Sequence, residues 1–519
     1  MKIVGFQSGH DTAYCILENG IPIIHEEMER ITRQKMQRGD GLKFYFSRQN
    51  LSGVKYFTFG NWGGRSGRYE KEYFNKPDDD RMRELVKLNE GAYFEFGHHT
   101  SHAANAFYTS NFDKALIITV DGGGWEAGHI DTALTISEGI KNKIRKIKVF
   151  DKSYVNIGRI YNKTTKYIFH LSAGPPKGDQ AGTVMAMATL GEPKYTKMYS
   201  NFDTTWPELR RISKQNDHER FNVAASLQKY IEQTFRDTVS KYIKKSGHKN
   251  LCLSGGVSLN CVMLGKIKDW FPNIKNIFCD PVPYDAGLAL GSARYLWHHV
   301  LGNPRIKNNI QNMSPYLGKV YSLKDIKIAF QARKNDIRVD EADDQDVLKK
   351  LQDQKIISIF GGGSESGRRA LGNRSILADP TNPSMKQIIN EKVKHRQWFR
   401  PLAPSILEER VSEWFINPTP SPYMSFALKV KNEKKDKIPA VVHFDGTARL
   451  QTVNKQLSPW YHRFISKWEK MTGVPVLINT SFNDNEPIVE TPMDAINCFL
   501  KTQIDHLYFY DYGILVSKK

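Results

Sequence analysis

The feature that most constrains the fold is a plan that occurs twice. Residues 2–27, KIVGFQSGHDTAYCILENGIPIIHEE, read as an apolar strand, a turn bearing Gly9, a second strand and a hairpin turn at Asn19-Gly20. Residues 114–140, KALIITVDGGGWEAGHIDTALTISEGI, repeat it as apolar strand, glycine turn and second apolar strand. Such a duplication predicts an α/β fold of two lobes, each able to offer backbone N–H groups from a hairpin turn to the phosphates of a nucleotide.

The rest of the chain fits around that plan. In KNLCLSGGVSLNCVMLGKIK a short strand meets Ser254-Gly255-Gly256 and passes into a helix expected near Ser258, a geometry that aims a helix N-terminus at an anion. A Gly-Gly turn also arises for steric reasons alone. Asp285, in YDAGLALGSARYL, precedes another helix and reads equally well as a plain N-cap. From about Pro304 to Asp344 the strong apolar runs fade, which predicts a junction and domains of residues 1–335 and 336–519. The second begins with a helix through VLKKLQDQ, a buried strand IISIF and the triplet Gly361-Gly362-Gly363. It closes on VPVLINTSF and a helix start at Thr491-Pro492-Met493-Asp494.

No segment reads as a leader peptide or an apolar stretch of transmembrane length, which predicts a cytoplasmic protein without a membrane partner. Five cysteines without a CxxC pair suggest neither disulfides nor a thiolate zinc site. Lys and Arg exceed Asp and Glu by 75 − 55 = 20, an excess that draws nucleotides or nucleic acid, although solubility alone also explains it.

Two stretches carry chemistry. In GHHTSHAANAF (97–107), His98 and His102 stand four apart and share one helix face, which suits either a metal ion or an ordinary polar face. Two imidazoles rarely suffice for a metal, and Asp121 and Asp285 are the candidate carboxylates. In SGRRALGNRSILADP and EKVKHRQWFRPLAPS, Arg368, Arg369, Arg374, Lys394, Arg396 and Arg400 are interleaved with apolar and turn residues. Cations so embedded suit a pocket for compact phosphates better than a solvated face.

GHDTAYCILENG, EEMERITRQK, HHTSHAANAFYTS, SGGVSLNCVMLGKI, GRRALGNRSILADP, HFDGTARLQTV and VPVLINTSFNDNEPIVETPMDA together resemble, over nearly the whole chain, the NodU/CmcH family of O-carbamoyltransferases. The resemblance implies a two-lobed actin/Hsp70-like (ASKHA) N-terminal domain followed by a YrdC-like α/β domain. It implies that the YrdC-like domain makes carbamoyl adenylate from carbamoyl phosphate and ATP, with Mg²⁺ a possible companion of ATP. The first domain then transfers the carbamoyl group to an acceptor hydroxyl. By the same resemblance a divalent ion of the Fe²⁺ type is held by His98, His102, Asp121 and Asp285. Carbamoyl phosphate is held by Arg369, Lys394, Arg400, Arg449, Asn479 and Ser481, with Arg374 a neighbour. Gly122, Gly123, Gly255 and Gly256 permit close approach to the adenylate. His10, with Asp11 beside it, is expected to position or deprotonate the acceptor, although a histidine in a turn also serves as a strut.

The chain departs from the family in two places. Arg368 stands where members usually have Pro, placing an extra cation beside Arg369. Thr183 and Ala186 stand where members often have Lys and Gly, so no phosphate contact is carried over there. Basic and aromatic residues alternate in NWGGRSGRYEKEYF (61–74) and RKIKVFDKSYVNIGRIYNKTTKY (145–167), which favours a 5-hydroxymethylpyrimidine in DNA or a nucleotide as acceptor. A sugar or antibiotic hydroxyl is the alternative. A sugar kinase of the ASKHA type would not need the histidines, and a noncatalytic DNA-binding protein would not need the embedded motifs.

Overall fold

The computed structural model describes residues 1–36, 51, 53–60, 73–74, 91–173, 178–306 and 309–519, so most of NWGGRSGRYEKEYF lies outside the described residues. The chain divides into two compact units, Met1–Ser314 and Pro315–Lys519.

The first unit holds two sheets of one design. Strands β1 (Lys2–Gln7), β2 (Ala13–Glu18), β3 (Ile21–Glu27), β4 (Val54–Gly60), β5 (Tyr73–Phe74) and β6 (Ala92–Phe96) are ordered β3-β2-β1-β4-β6-β5. The first three pair antiparallel, whereas β4 runs parallel to both β1 and β6. The second sheet uses β7 (Lys114–Glu126), β8 (His129–Ile140) and β9 (Lys143–Asp151). A two-stranded ribbon of β10 (Ser172–Ala173) and β11 (Gly178–Asp179) follows, and β12 (Asn250–Ser254) and β13 (Asn276–Cys279) complete the sheet as β13-β12-β7-β8-β9. Again three antiparallel strands are followed by two parallel ones, with β12 parallel to β7 and β13. The expected two-lobed α/β arrangement is therefore visible in strand order and direction.

Two local expectations change. The turn after β7 is not at the glycine triplet: β7 continues to Glu126, while its ladder passes from Val120↔Leu134 to Gly124↔Thr132. Residues 121–123 bulge out of the pairing, and a bulge re-aims the side chains it carries. After Gly255-Gly256 the chain makes a 3₁₀ turn, Gly256–Leu259, and then only a five-residue helix, Cys261–Gly265. The helix expected near Ser258 thus starts at Cys261, and the Asn260 side chain caps its N-terminus by accepting from the Met263 N–H.

Two helices complete the part of this unit that matters for function. His98–Thr109 is buried along its whole length, and small residues allow that: a side chain on Gly291 of the helix Gly287–Tyr295 would strike the Ser101 carbonyl. Asn105 donates to the Asp280 carboxylate at 2.7 Å and accepts from Arg294 at 2.9 Å, so a buried polar network locks the His98 helix to β13 and to the Gly287 helix. Elsewhere His298 is buried neutral against the Asn303 carbonyl at 3.1 Å, and burial pulls its pKa down to about 4. The unfolded chain takes up this proton near pH 6.5 and the folded chain only near 4, so stability present above pH 6.5 is lost as pH falls through that window. Wild type should lose about 3 kcal/mol more than His298→Gln between pH 6.5 and 4 in urea titrations; equal losses would refute the assignment.

The second unit is a nine-stranded mixed sheet. Its strands are β14 (Ile337–Glu341), β15 (Ile357–Phe360), β16 (Arg374–Ala378), β17 (Ala403–Leu407), β18 (Phe426–Lys429), β19 (Thr447–Val453), β20 (Val476–Ser481), β21 (His506–Phe509) and β22 (Ile514–Lys518). They are ordered β14-β22-β21-β15-β16-β20-β17-β19-β18. Leu348 and Leu351 of the helix Asp344–Gln352 and Phe464 and Trp468 of the helix Pro459–Thr472 share a core with Ile359, Leu377 and Leu477. The helix Pro492–Lys501 begins with a capping box between Thr491 and Asp494. The unit starts earlier than residue 336 because the helix Leu323–Ala332 docks on it: Phe330 meets Phe509 edge-on at 5.3 Å and Arg333 donates to Asn497 at 2.7 Å. Among the described residues no helix is long and apolar enough to cross a membrane.

Candidate metal centre and anion pocket

His98 and His102 are one turn apart on a helix that begins where β6 ends, and both imidazoles are fully buried. Their rings lie 4.8 Å apart at 74°, and neither ring nitrogen of either residue has a hydrogen-bond partner among the described residues. A buried imidazole without a partner is costly, so the pair calls for something the side chains themselves do not supply. The nearest groups are carboxylates: His102 Nε2 is 3.5 Å from Asp121 and 3.7 Å from Asp285, and His98 Nε2 is 3.7 Å from Asp285. These spacings are long for hydrogen bonds. Donors about 2.1 Å from a tetrahedral ion lie about 3.4 Å from one another, so the set fits a metal. One atom from each of the four residues lies within 4.8 Å of the others.

Each element aims its ligand for an identifiable reason. The β7 bulge turns Asp121 out of the ladder, and the Gly122 and Gly256 N–H groups both donate to its carboxylate at 2.5 Å. The two glycine turns are thus brought together, but on Asp121, and these two N–H groups are already engaged. Gly123 and Gly255 have positive φ angles of 149° and 89°. A side chain at Gly124 would strike the His98 ring, so glycine is required for β7 to pass the histidine. Asp285 does not cap the Gly287 helix; its side chain points at the histidines instead. The adjacent His99 turns away and bonds the Thr132 carbonyl at 3.0 Å.

His10 stands at the open side of this centre, its side chain 28% exposed, with Nδ1 3.0 Å from Asp11 and Nε2 3.3 Å from Asp285. Burial opposes its charge, but the Asp11 hydrogen bond and the Asp285 and Asp11 charges prevail and raise its pKa to about 9. Burial lowers that of His98, whereas Asp285 and Asp121 overcome burial and raise that of His102.

Glu126 was not legible as part of the site. It is buried at the end of β7 and accepts from the Thr100 N–H at 2.8 Å, the Thr100 hydroxyl at 2.6 Å and Lys146 at 2.6 Å. It therefore caps the His98 helix, whose own N-cap, Gly97, has no side chain to do so. Glu126→Ala should cost about 1–3 kcal/mol in thermal melts and weaken metal binding roughly 10- to 100-fold in titrations. Unchanged metal affinity would remove Glu126 from this role.

In the second unit the strand register builds a pocket floor. Asn479 lies opposite Ala403, and Ser405 opposite Gln451, which sets Asn479, Ser405 and Gln451 on one face, with Arg449 two residues before Gln451 on that face too. Asn479 donates to Gln451 at 2.8 Å and to Ser405 at 3.1 Å, while its Oδ1 is buried without a partner. Lys394 donates to the Ser481 carbonyl at 2.6 Å and to Asn483 Oδ1 at 2.6 Å, tying it to Ser481. Burial and the neighbouring Arg449 lower the Arg400 pKa to about 10; burial, Arg400 and Arg449 lower that of Arg396 further. His443, in HFDGTAR, lies beside Arg449 with Nε2 buried and unpartnered. Arg396, one of the embedded cations of the basic run, joins the cluster, and so does His443, which sequence reasoning missed although it lies inside a motif stretch.

Arg374 does not join it. Its guanidinium donates to the Gly361 and Gly362 carbonyls at 2.6 and 3.2 Å and lies 3.6 Å from the centre of the Phe360 ring, so it braces the Gly361–Gly363 turn. The GRRALG loop that carries Arg368 and Arg369 is likewise held internally: Glu365 accepts from the N–H groups of Leu371, Asn373 and Arg374 at 2.7, 2.8 and 3.1 Å. Thr183 is buried in the helix Ala181–Met187. In the 145–167 stretch, Arg145, Lys146 and Lys152 are paired with Glu138, Glu126 and Asp131.

Comparison with known proteins places the molecule among group-transfer enzymes. A family model described as the carbamoyltransferase N-terminus matches residues 80–208 and 200–294, and one described as the carbamoyltransferase C-terminus matches residues 348–516. Nodulation protein NolO of Bradyrhizobium diazoefficiens is 34% identical over 438 residues, covering 79% of this chain and 77% of NolO. Nodulation protein U of Sinorhizobium fredii is 28% identical over 552 residues, covering 93% of this chain and 94% of that protein. Among solved structures, HypF of T. kodakarensis aligns over 58% of this chain and 48% of its own with a TM-score of 0.38 and 14% identity. The chain belongs to the carbamoyltransferase family, and its reaction is carbamoyl transfer to a hydroxyl.

Proposed function

We propose that the protein is an ATP-dependent O-carbamoyltransferase with its work divided between the two units. The second unit makes carbamoyl adenylate from carbamoyl phosphate and ATP, and the first transfers the carbamoyl group. The observation that carries this reading is the convergence of Arg396, Arg400 and Arg449 on one region with Lys394, Asn479 and Ser481. Like charges are brought together at a cost that a compact polyanion offsets, and two phosphate-bearing substrates held side by side gain in effective concentration. Asn479, with a free buried carbonyl oxygen, suits the carbamoyl amide. Arg369 enters as a phosphate ligand on the family resemblance alone.

In the first unit, His98, His102, Asp121 and Asp285 would hold a divalent ion, Fe²⁺ by resemblance. Such an ion would supply Lewis-acid polarisation of the carbamoyl carbonyl and would offset the Asp285 charge, which after the Asp11 hydrogen bond helps to raise the His10 pKa. His10, oriented by Asp11, would accept the hydroxyl proton of the acceptor as the new C–O bond forms and the bond from the carbamoyl carbon to the adenylate phosphate oxygen breaks, releasing AMP. Gly122, Gly123, Gly255 and Gly256 line the approach of the adenylate, with Gly123 and Gly255 in backbone conformations suited to close contact.

For the acceptor, the net charge of +20 favours a 5-hydroxymethylpyrimidine in DNA or a nucleotide. The pairing of Arg145, Lys146 and Lys152 with carboxylates favours a second reading, a sugar or other small-molecule hydroxyl. Mass spectrometry of hydroxymethylated DNA, nucleosides and sugars after incubation with ATP and carbamoyl phosphate tests both. A gain of one carbamoyl group names the acceptor, and turnover without ATP would refute the adenylate route. Modification of DNA should fall steeply with salt if the duplex is the substrate.

A further inference from the structure

We infer that Gln7 is the residue that recognises the carbamoyl group in the first unit, through paired hydrogen bonds to its C=O and NH₂. Gln7 is the last residue of β1, three before His10, and is fully buried. Both polar atoms of its amide, Nε2 and Oε1, lack a hydrogen-bond partner among the described residues. A buried primary amide with neither donor nor acceptor used costs several kcal/mol in order of magnitude, and such a group in a native fold points to a ligand that completes it.

The sheet register places this amide at the candidate centre. Gly5, Cys15 and His25 form one cross-strand row, and Gln7, Ala13 and Glu27 form the next row on the same face. The first row lies under the Gly287 helix: a side chain at Gly5 would strike the Ala289 carbonyl, and His25 meets the Ala286 carbonyl at 3.0 Å. The second row meets the chain just before that helix, where the Tyr284 hydroxyl donates to Glu27 at 2.5 Å. The next residue is Asp285, 3.3 Å from His10 and 3.7 Å from both His98 and His102. Gln7 thus shares a row of the sheet with the residue that meets the segment supplying a ligand carboxylate, and it leads into the loop that supplies His10.

The chemistry of the amide selects the partner. Gln offers one carbonyl acceptor and N–H donors in a plane, and a carbamoyl group presents the complementary set, NH₂ as donor and C=O as acceptor. An ionised phosphate, having no donor, would leave Oε1 unmatched, whereas a carbamoyl group meets both atoms in one plane with two separate hydrogen bonds. A site built around such a pair also rejects an acetyl group, whose methyl leaves the Gln carbonyl unpaired. Gln7 is therefore a specificity residue for the donor. The inference rests on reading the His98–Asp285 centre as the place of transfer, and it does not depend on the donor being an adenylate.

The test uses the full-length protein and two stable probes, methyl carbamate and adenosine 5′-carbamate, by crystal soaking and calorimetry. At least one carbamate should lie with its NH₂ on Gln7 Oε1 and its C=O on Nε2. Gln7→Leu should weaken that binding tenfold or more and leave the melting temperature unchanged or higher, since it removes an unsatisfied buried amide. Binding of methyl carbamate alone would sink the adenylate reading and keep Gln7. Carbamate absent from Gln7, an amide bonded to ordered water instead, or unaltered binding in Gln7→Leu would overturn the inference.

Discussion

Replacing His102 by Ala should abolish carbamoyl transfer, lowering turnover by at least about 10³-fold, and should empty the metal site as read by elemental analysis of protein purified with Fe²⁺. The expectation follows from geometry. His102 faces two carboxylates from different elements, Asp121 on β7 and Asp285 before the Gly287 helix, and its Nε2 has no hydrogen-bond partner among the described residues. His98→Ala removes the second imidazole and should behave alike. His99→Ala is the internal control: it breaks the buried bond to the Thr132 carbonyl and should cost about 1–3 kcal/mol of stability while sparing the metal. If His99→Ala loses the ion and His102→Ala keeps it, the centre has been misplaced. If all three variants bind metal normally, the four residues form a polar cluster and nothing more. ATP consumption in the second unit should survive His102→Ala, which separates loss of the centre from loss of the fold.

Arg449→Ala should have opposite effects on function and on stability. Carbamoyl phosphate binding should weaken by about 10²-fold, because a guanidinium fork on phosphate is a charge-assisted contact in a partly desolvated pocket. The ligand-free protein should become more stable by on the order of 1 kcal/mol, since Arg449 depresses the protonated state of both Arg400 and Arg396. Differential scanning fluorimetry with and without inorganic phosphate reads both effects. Wild type should melt higher in phosphate, and the variant should start higher and respond less. A variant that melts lower and still responds fully to phosphate would mean that Arg449 braces the fold instead of binding anions. Arg374→Ala supplies the contrast: it should destabilise the Gly361–Gly363 turn with little change in the phosphate response, because its guanidinium is spent on carbonyls.

Much of this molecule was legible before any coordinates, for a physical reason. Strand–turn–strand periodicity, the Asn19-Gly20 turn and the Thr491–Asp494 cap are interactions between residues close in sequence, so the sequence by itself determined them. The same holds for the His98/His102 pair, whose spacing matches one helical turn, and for the family motifs. What lay beyond reach depended on partners distant in the chain. For Asp285 the sequence left a helix cap and a metal carboxylate both open, and only the imidazoles that the His98 helix sets across from it favour the second. The glycine triplet reads as a turn until the β7 ladder resumes at Gly124 and leaves Asp121 in a bulge. Arg374 and Arg400 are equivalent as charges in a basic run; only tertiary structure spends one on the carbonyls of Gly361 and Gly362 and sets the other near Arg449. Gln7 and Glu126 carry no signal in their own neighbourhoods. Tertiary structure alone made one an unpartnered buried amide and the other the cap of a helix that follows a different strand, because burial and hydrogen-bond satisfaction are properties of the assembled fold.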